Sequence, residues 1–185
     1  MIIRQPRNSE LKALRTELRK YGDVPPEEAV EATRPKNRTQ WLVVFENNKI
    51  IGAGRTYKTD WYEWTVKNAF VIPSERGKKV ATLLYAELTD KAEREGAKVA
   101  EADITASNIS SKRAAVRAGM RPVNNFVWNK NKTHADIYQE VFTPPTQKQV
   151  NTVNKVIRSE FTKRQVRLTP GILSPQPLFY KKRRK

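Results

Sequence analysis

Residues 71–82 read Val71-Ile72-Pro73-Ser74-Glu75-Arg76-Gly77-Lys78-Lys79-Val80-Ala81-Thr82, and they organise the rest of the chain. An apolar strand, Asn68 to Val71, runs into a turn at Pro73. A basic loop with one glycine follows and opens directly into a helix carrying Val80, Leu83, Leu84 and Leu88. The first N–H groups of a helix have no internal partner, and the helix dipole adds positive potential there. Strand, loop and helix N-terminus in that order make an anion site. Arg76, Lys78 and Lys79 add full charges at the same place. A phosphate-bearing ligand is the functional reading, and a solvated surface turn is the bland one. The stretch is not a P-loop, since the second Gly and the Gly-Lys-Ser/Thr ending are missing. Gly77 stands alone, so it is not a dinucleotide fingerprint either.

Outward from this stretch toward the C-terminus, the helix extends from about Lys78 to Glu95, with Leu84, Leu88 and Ala92 on one face. Lys91 and Arg94 suit the negative end of its dipole, and Gly96 closes it. Val99 to Ile104 is then a parallel-type strand reached through a helical crossover. Its side chains alternate, placing Val99, Glu101 and Asp103 on one face and Ala100, Ala102 and Ile104 on the other. Carboxylates at 101 and 103 on a central strand are costly unless they meet water or a partner. They point to a groove. Asn108, in Ser107-Asn108-Ile109-Ser110-Ser111, can cap a helix that runs to Ala118 and ends at Gly119. Val123 to Trp128 and Ala135 to Phe142 supply two more strands across a basic loop, Asn129 to Lys132, read as a solvated turn.

Toward the N-terminus, Trp61 to Val66 resumes a strand that continues to Val71. Trp41 to Phe45 and Ile50 to Thr56 form a hairpin across Glu46-Asn47-Asn48-Lys49. Gly52 and Gly54 in its second arm signal a bulge or a close backbone approach. Pro25-Pro26-Glu27-Glu28 begins a short helix to about Ala32, and Arg34 to Arg38 is a connecting loop. Before it, Asn8 or Ser9 can cap a helix with Leu11, Leu14 and Leu18 on its apolar face, stopped by Gly22. Met1 to Arg4 is a strand that Pro6 ends.

At 185 residues and 38% apolar, the chain suits one domain with a modest core and an extension. No apolar run approaches the ~18 residues of a membrane span, and the start lacks the long apolar core of a secretory signal. There is no Cys, which fits a reducing cytosol without requiring one. The single His134 has no ligand-spaced companions, so no metal is expected. The net charge of +17 is unevenly placed: residues 143–185 hold eleven Lys/Arg against one acid, Glu160. We divide the chain into a domain at 1–142 and a basic extension at 143–185. The extension comprises an amphipathic helix at about 146–164 and an extended tail at 165–185. In that helix Val150, Val153, Ile157 and Phe161 share one side. The helix suits packing on the body of the chain or on a twin, or docking on another protein or nucleic acid; a membrane surface fits least. The tail is Pro-rich and ends Lys181-Lys182-Arg183-Arg184-Lys185, a cluster able to bind phosphates.

The stretch from Val71 resembles the acetyl-CoA motif of the GNAT (Gcn5-related) N-acetyltransferases. In that family a strand ending Val-x-Pro precedes Arg/Gln-x-x-Gly-x-Gly/Ala and a helix. Val71, Pro73, Arg76 and Ala81 match, with the Val80/Leu83/Leu84 spacing. The element order matches from about Ile2 to Phe142. The resemblance implies an α/β fold, with a mixed, mainly antiparallel central sheet flanked by helices. It further implies acetyl transfer from acetyl-CoA to an amine acceptor in the cytoplasm. Val71, Arg76, Gly77, Lys78, Lys79, Val80, Ala81, Thr82, Asn108 and Ser111 are the implied cofactor-binding residues. Asp103-Ile104-Thr105-Ala106-Ser107-Asn108 is similar to the matching strand of ribosomal-protein N-terminal acetyltransferases, implying Asp103 as general base, with Glu101 acting through a water. Two positions depart. Lys79 stands where the family prefers Gly, and Ala115 where it commonly places a proton-donating Tyr. For Lys79 the expectation is a helix-compatible φ with its side chain turned outward. The rival is a non-catalytic GNAT-fold structural or virion-associated protein, similar to those of tailed phages. Such a protein would act in host cytoplasm or virion and bind nucleic acid or a large assembly through 143–185.

Overall fold

The computed structural model describes residues 1–22, 24–59, 63–128, 133–143, 146, 148 and 167–168. The expected helix at 146–164 and the tail at 165–185 lie almost wholly outside the described residues. Strands β1 (Ile2–Arg4), β2 (Trp41–Glu46), β3 (Lys49–Lys58), β4 (Glu63–Val71), β5 (Val99–Thr105), β6 (Arg121–Trp128), β7 (Thr133–Val141) and a two-residue β8 (Arg167–Leu168) form one sheet. Their order is β1-β2-β3-β4-β5-β7-β6-β8. The β4–β5 pair is parallel and every other pair antiparallel. Helices α1 (Leu11–Tyr21) and α2 (Pro26–Ala32) precede the hairpin. Helix α3 (Val80–Arg94) is the crossover between β4 and β5, and α4 (Ile109–Ala118) follows β5. This is the mixed α/β sheet flanked by helices that the element order implies.

Two apolar layers sandwich the sheet. On one side Leu84 and Leu88 of α3, Ala114 and Ala115 of α4 and Met120 pack against Leu42, Val44, Ile51, Val66, Ala102 and Ile104. On the other, Leu11, Leu14 and Leu18 of α1 and Ala29 and Ala32 of α2 cover Trp41, Val43, Ala53 and Phe70. The fully buried Trp41 donates its indole N–H to the Ala32 carbonyl at 2.8 Å, so its one polar atom is satisfied inside. Each fully buried Leu contributes about 1.5–3 kcal/mol through its removal from water.

Local chemistry explains the element ends, with some corrections. Asn47 and Asn48 both adopt positive φ, the two-residue turn that matches hairpin twist. The cap before α1 is not made by Asn8 or Ser9. Residues Asn8–Glu10 form a 3-10 turn, and the Glu10 carboxylate accepts the Arg7 N–H at 2.6 Å while pairing with Arg4 at 2.8 Å. The expected loop at Arg34–Arg38 is likewise a 3-10 turn, Pro35–Gln40. Helix α3 starts at Val80, two residues later than the sequence indicated. Among the described residues no helix is long and apolar enough to cross a membrane.

Candidate active site

The loop before α3 is shaped by two left-handed residues, Gly77 (φ 82°) and Lys79 (φ 64°), after a 3-10 turn at Pro73–Glu75. The helix-compatible φ expected of Lys79 is therefore corrected. Lys79 is the N-cap of α3, and the chain must reverse its local twist there to enter the helix. The first intrahelical bond runs from the Leu83 N–H to the Lys79 carbonyl at 3.1 Å. The N–H groups of Val80, Ala81 and Thr82 are therefore left for an external acceptor. Left-handed residues in such a loop also turn successive N–H groups toward one concavity. Lys78 departs from expectation: it is exposed, pairs with Glu75 at 2.7 Å and does not line the cavity described below.

Strand β4 supplies the second element. It pairs with β5 only from Glu63↔Val99 to Thr65↔Glu101, and beyond that point the two parallel strands part. A bulge accompanies the parting: Asn68 and Ala69 together face Gly54, with Asn68 at φ 55° and its carboxamide oxygen accepting from Arg55 Nε at 2.7 Å. At Gly54 any Cβ would meet Leu88 Cδ1 at 2.7 Å, which is the close approach that Gly52 and Gly54 signalled. The Ile72 N–H bonds back to Ile51 of β3 at 2.9 Å. Strand alternation then turns the Val71 N–H and C=O the other way, into the gap left by β5. Arg76 Nε donates to that Val71 carbonyl at 3.2 Å, closing the loop over the strand end.

A cavity of about 480 Å³ occupies the gap. It runs from the α3 N-terminus (Arg76, Gly77, Lys79, Val80, Ala81, Thr82) along α4 (Asn108, Ser110, Ser111, Arg113, Ala114, Arg117) to the end of β4 at Ala69–Val71 and to Tyr21. Of the cofactor-binding residues read from sequence, all but Lys78 line it. Asn108 is the N-cap of α4, its side-chain oxygen accepting the Ser111 N–H and the Ser110 hydroxyl at 3.1 Å each. That carboxamide retains its NH₂ as a donor toward a ligand. Four cations, Arg76, Lys79, Arg113 and Arg117, line this cavity against one carboxylate, Glu75.

Ala115 is fully buried in the core and has no functional atom to offer. Tyr85, which the sequence reading did not single out, lines the cavity instead. Burial pushes its phenol up to about 12, with the neighbouring Ser111 pulling the other way. The signal available in sequence was a single polar-tipped aromatic on the buried face of a helix, which commonly means packing.

Glu101 and Asp103 do not line this cavity. Ala100, Ala102 and Ile104 pack under α3, so the carboxylates between them face the opposite side of the sheet. Glu101 stands at the last β4–β5 pair, where the strands part, and Asp103 lies one step further along the open edge. Burial raises Glu101 well above the usual carboxylate range, and the neighbouring charges of Glu63 and Asp103 raise it further. Gln139, donating to Glu101 at 2.6 Å, and Lys67 pull the other way. Asp103 is exposed at the strand edge, yet the protein packed around it on the sheet still raises its carboxyl, opposed by Lys67. Glu63 is itself buried on β4. Sequence reasoning found two of these carboxylates but missed Glu63 and Lys67, which only the strand register brings beside them. Among the described residues no group of His, Cys, Asp or Glu is arranged to hold a metal.

Comparison with solved structures finds the same architecture. A ribosomal-protein-alanine N-acetyltransferase from Brucella melitensis superposes with TM-score 0.65 and 17% identity, over 77% of this chain and 100% of that one. The ribosomal-protein-S18-alanine N-acetyltransferase of Escherichia coli gives 0.64 and 17%, over 79% and 96%. The yncA protein of Salmonella typhimurium, solved with its cofactor acetyl-CoA, gives 0.66 and 18%, over 79% and 96%. At such identities the likeness establishes the fold alone. No curated protein matches the chain. The sequence profile of the acetyltransferase (GNAT) family matches residues 10–120, most of the domain that holds the loop, the bulge and the cavity. The chain belongs to the acetyltransferase (GNAT) family.

Proposed function

We propose that this GNAT enzyme transfers the acetyl group of acetyl-CoA to an amine across the gap between β4 and β5, with its anionic co-substrate on one sheet face and its amine on the other. The carrying observation is the parting of β4 from β5 at Thr65/Glu101. It puts the free Val71 N–H and the cation-lined cavity on one side of a gap and the β5 carboxylates on the other. The residues present fit acetyl-CoA. The amides of Val80 to Thr82 receive a pyrophosphate, Asn108 offers a donor to an amide-bearing arm, and the Val71 N–H can polarise a carbonyl oxygen. Acetyl-CoA supplies the activated thioester.

The rest is positioning and proton management. An ammonium acceptor must lose a proton before its lone pair can form the new N–C bond as the C–S bond breaks. Glu101 or Asp103, directly or through a water, takes that proton. Raising a carboxylate above its ordinary value of about 4 narrows the gap to the amine it serves. An α-amino group at about 7.7–8.0 lies closer than a lysine at about 10.4. The leaving thiolate is stable enough to depart without a strong acid. Tyr85, pushed up to about 12, donates a hydrogen bond more readily than a proton, so the missing acid at Ala115 does not halt the reaction. The basic extension at 143–185, with eleven cations against Glu160, belongs to the same proposal as a contact for a polyanion such as nucleic acid.

Calorimetric titration of the full chain with acetyl-CoA, followed by thiol release in the presence of amine acceptors, tests the reading. The acceptor panel comprises α-amino peptides, lysine side chains and aminoglycosides. Heat and saturation with acetyl-CoA are expected, with release stimulated most by α-amino acceptors. Absence of heat and of any thermal shift at millimolar acetyl-CoA would remove the enzyme reading and leave the scaffold alternative.

A further inference from the structure

We propose that Arg113 and Arg117 form a phosphomonoester clamp that makes this enzyme selective for the 3′-phosphorylated form of its acyl carrier over the dephosphorylated form. The inference rests on acetyl-CoA being the ligand of the cavity, and it assigns a specificity role to two residues outside the loop motif. Both arginines lie on α4 four residues apart, so their side chains rise from neighbouring turns of one helix face. Both line the cavity, and both are exposed. Among the described residues neither meets a carboxylate, whereas Lys112, immediately before Arg113, is already paired with Asp136 at 2.5 Å. Two guanidinium groups facing a cavity without an internal counter-ion are an anion site in wait, and the planar fork of Arg matches phosphate oxygens in pairs.

Position decides which anion. The diphosphate has a sufficient site elsewhere, in the free N–H groups of Val80 to Thr82 with Arg76 and Lys79 beside them. The α3 terminus therefore has no need of Arg113 and Arg117, which belong to the other wall. A ligand bearing a diphosphate and a separate phosphomonoester carries two anionic centres, and this cavity has two cationic walls. A ligand bearing only the diphosphate leaves the α4 wall unneutralised. Selectivity follows from that difference, because the charge on α4 rewards only the ligand with the second centre.

The experiment is calorimetric titration of the full chain with CoA, 3′-dephospho-CoA and adenosine 3′,5′-bisphosphate. The parent is compared with Arg113→Ala, Arg117→Ala, the double variant and Arg117→Lys. Exposed residues on α4 are chosen so that folding survives, and thermal melting checks it. The parent should prefer CoA to the dephospho form by about 10- to 100-fold, the scale of a charge-assisted bidentate contact. The double variant should bind both alike, with its affinity for the dephospho form unchanged. Arg117→Lys should keep part of the preference, since charge remains but the fork does not. If the parent binds the two forms within twofold, or the double variant keeps the preference, the clamp is wrong while the acetyl-CoA reading stands. If the parent binds neither, both fall together.

Discussion

The two faces of the sheet carry opposite chemistry. Toward α3 and α4 the cavity presents Arg76, Lys79, Arg113 and Arg117 with one carboxylate. Toward α1 and α2, Glu63, Glu101 and Asp103 cluster with one cation, Lys67. In the proposed reaction the anionic carrier is drawn to the first face and the cationic amine to the second. The faces meet at the gap where β4 leaves β5. Such a division would let a chain of net charge +17 receive an ammonium, because the local field at the β5 edge opposes the global one.

The strongest way to break the comparison is to neutralise the acidic face. Glu101→Gln and Asp103→Asn should each leave CoA affinity within about twofold. The variant that removes the base should lower turnover about 10²- to 10⁴-fold. In the parent, turnover should climb with pH through a value above the ordinary carboxylate range, because the base acts deprotonated. Stability should move the other way. Glu101 is raised in the folded state, so its contribution is fully present below the unfolded value of about 4.3 and is lost as pH rises through the folded one. Glu101→Gln should therefore melt higher than the parent at neutral pH, and the difference should close near pH 4. Equal turnover of both variants and the parent around neutrality would show that neither carboxylate is the base.

Reversing charge on the other face should have the next largest effect. Lys79→Glu places a carboxylate at the mouth of the α3 terminus, where the free N–H groups of Val80 to Thr82 wait. CoA affinity should fall on the order of tenfold or more, most at low salt, where exposed charges are least screened. Turnover at saturating carrier should change little. A fall in turnover without a fall in affinity would mean the two faces are not separate.

Asn108→Ala sharpens the same division more gently. The variant loses the cap of α4 and a donor toward the carrier. Stability should drop by about 1 kcal/mol and CoA binding by about 1–2 kcal/mol. Asn108→Asp keeps the acceptor that caps Ser111 but loses the NH₂ donor. It should restore stability and not binding. Restoration of both would reduce Asn108 to a capping role.

What could be read without coordinates divides along the same line. The cofactor face is local in sequence: Arg76 to Thr82 is a continuous loop and helix start, and Asn108 announces itself as a cap, so the chain order alone assembled nearly all of it. The acidic face is not local. Glu101 and Asp103 showed themselves through alternation on one strand. Glu63 and Lys67 join them only through the β4–β5 register, which ends at Thr65↔Glu101 just before β5 departs. Tyr85 escaped notice because a tyrosine on a helix's buried face has the same spacing as a leucine. The backbone of Lys79 was misread for a physical reason: nothing in a side chain announces a positive φ when the residue is not Gly or Asn. At Lys78 the neighbouring Glu75 captured the charge that simple counting had assigned to the ligand.

The smallest effect concerns that same Lys79, and it decides whether a side chain at a glycine-like position obstructs the cavity. A non-glycine residue at φ 64° costs about 1 kcal/mol relative to glycine, because its Cβ crowds the following carbonyl. Lys79→Gly relieves that crowding but also frees the unfolded chain, which returns about 0.5–1 kcal/mol in the opposite sense. The net change in stability should stay within about 0.5 kcal/mol of zero, measurable by urea unfolding. Binding separates the alternatives more sharply. Lys79 is exposed at the cavity wall, and among the described residues it meets no carboxylate. Its ammonium is therefore available to a phosphate. If it assists, Lys79→Gly should weaken CoA binding by a few-fold at low salt and leave it unchanged at high salt, because only a screened charge is lost. If it obstructs, Lys79→Gly should tighten binding at every salt concentration, since removing a steric block does not depend on screening. We expect the salt-dependent loss. A salt-independent gain would mark Lys79 as a plug and would place the functional form of this fold in a state with that side chain displaced.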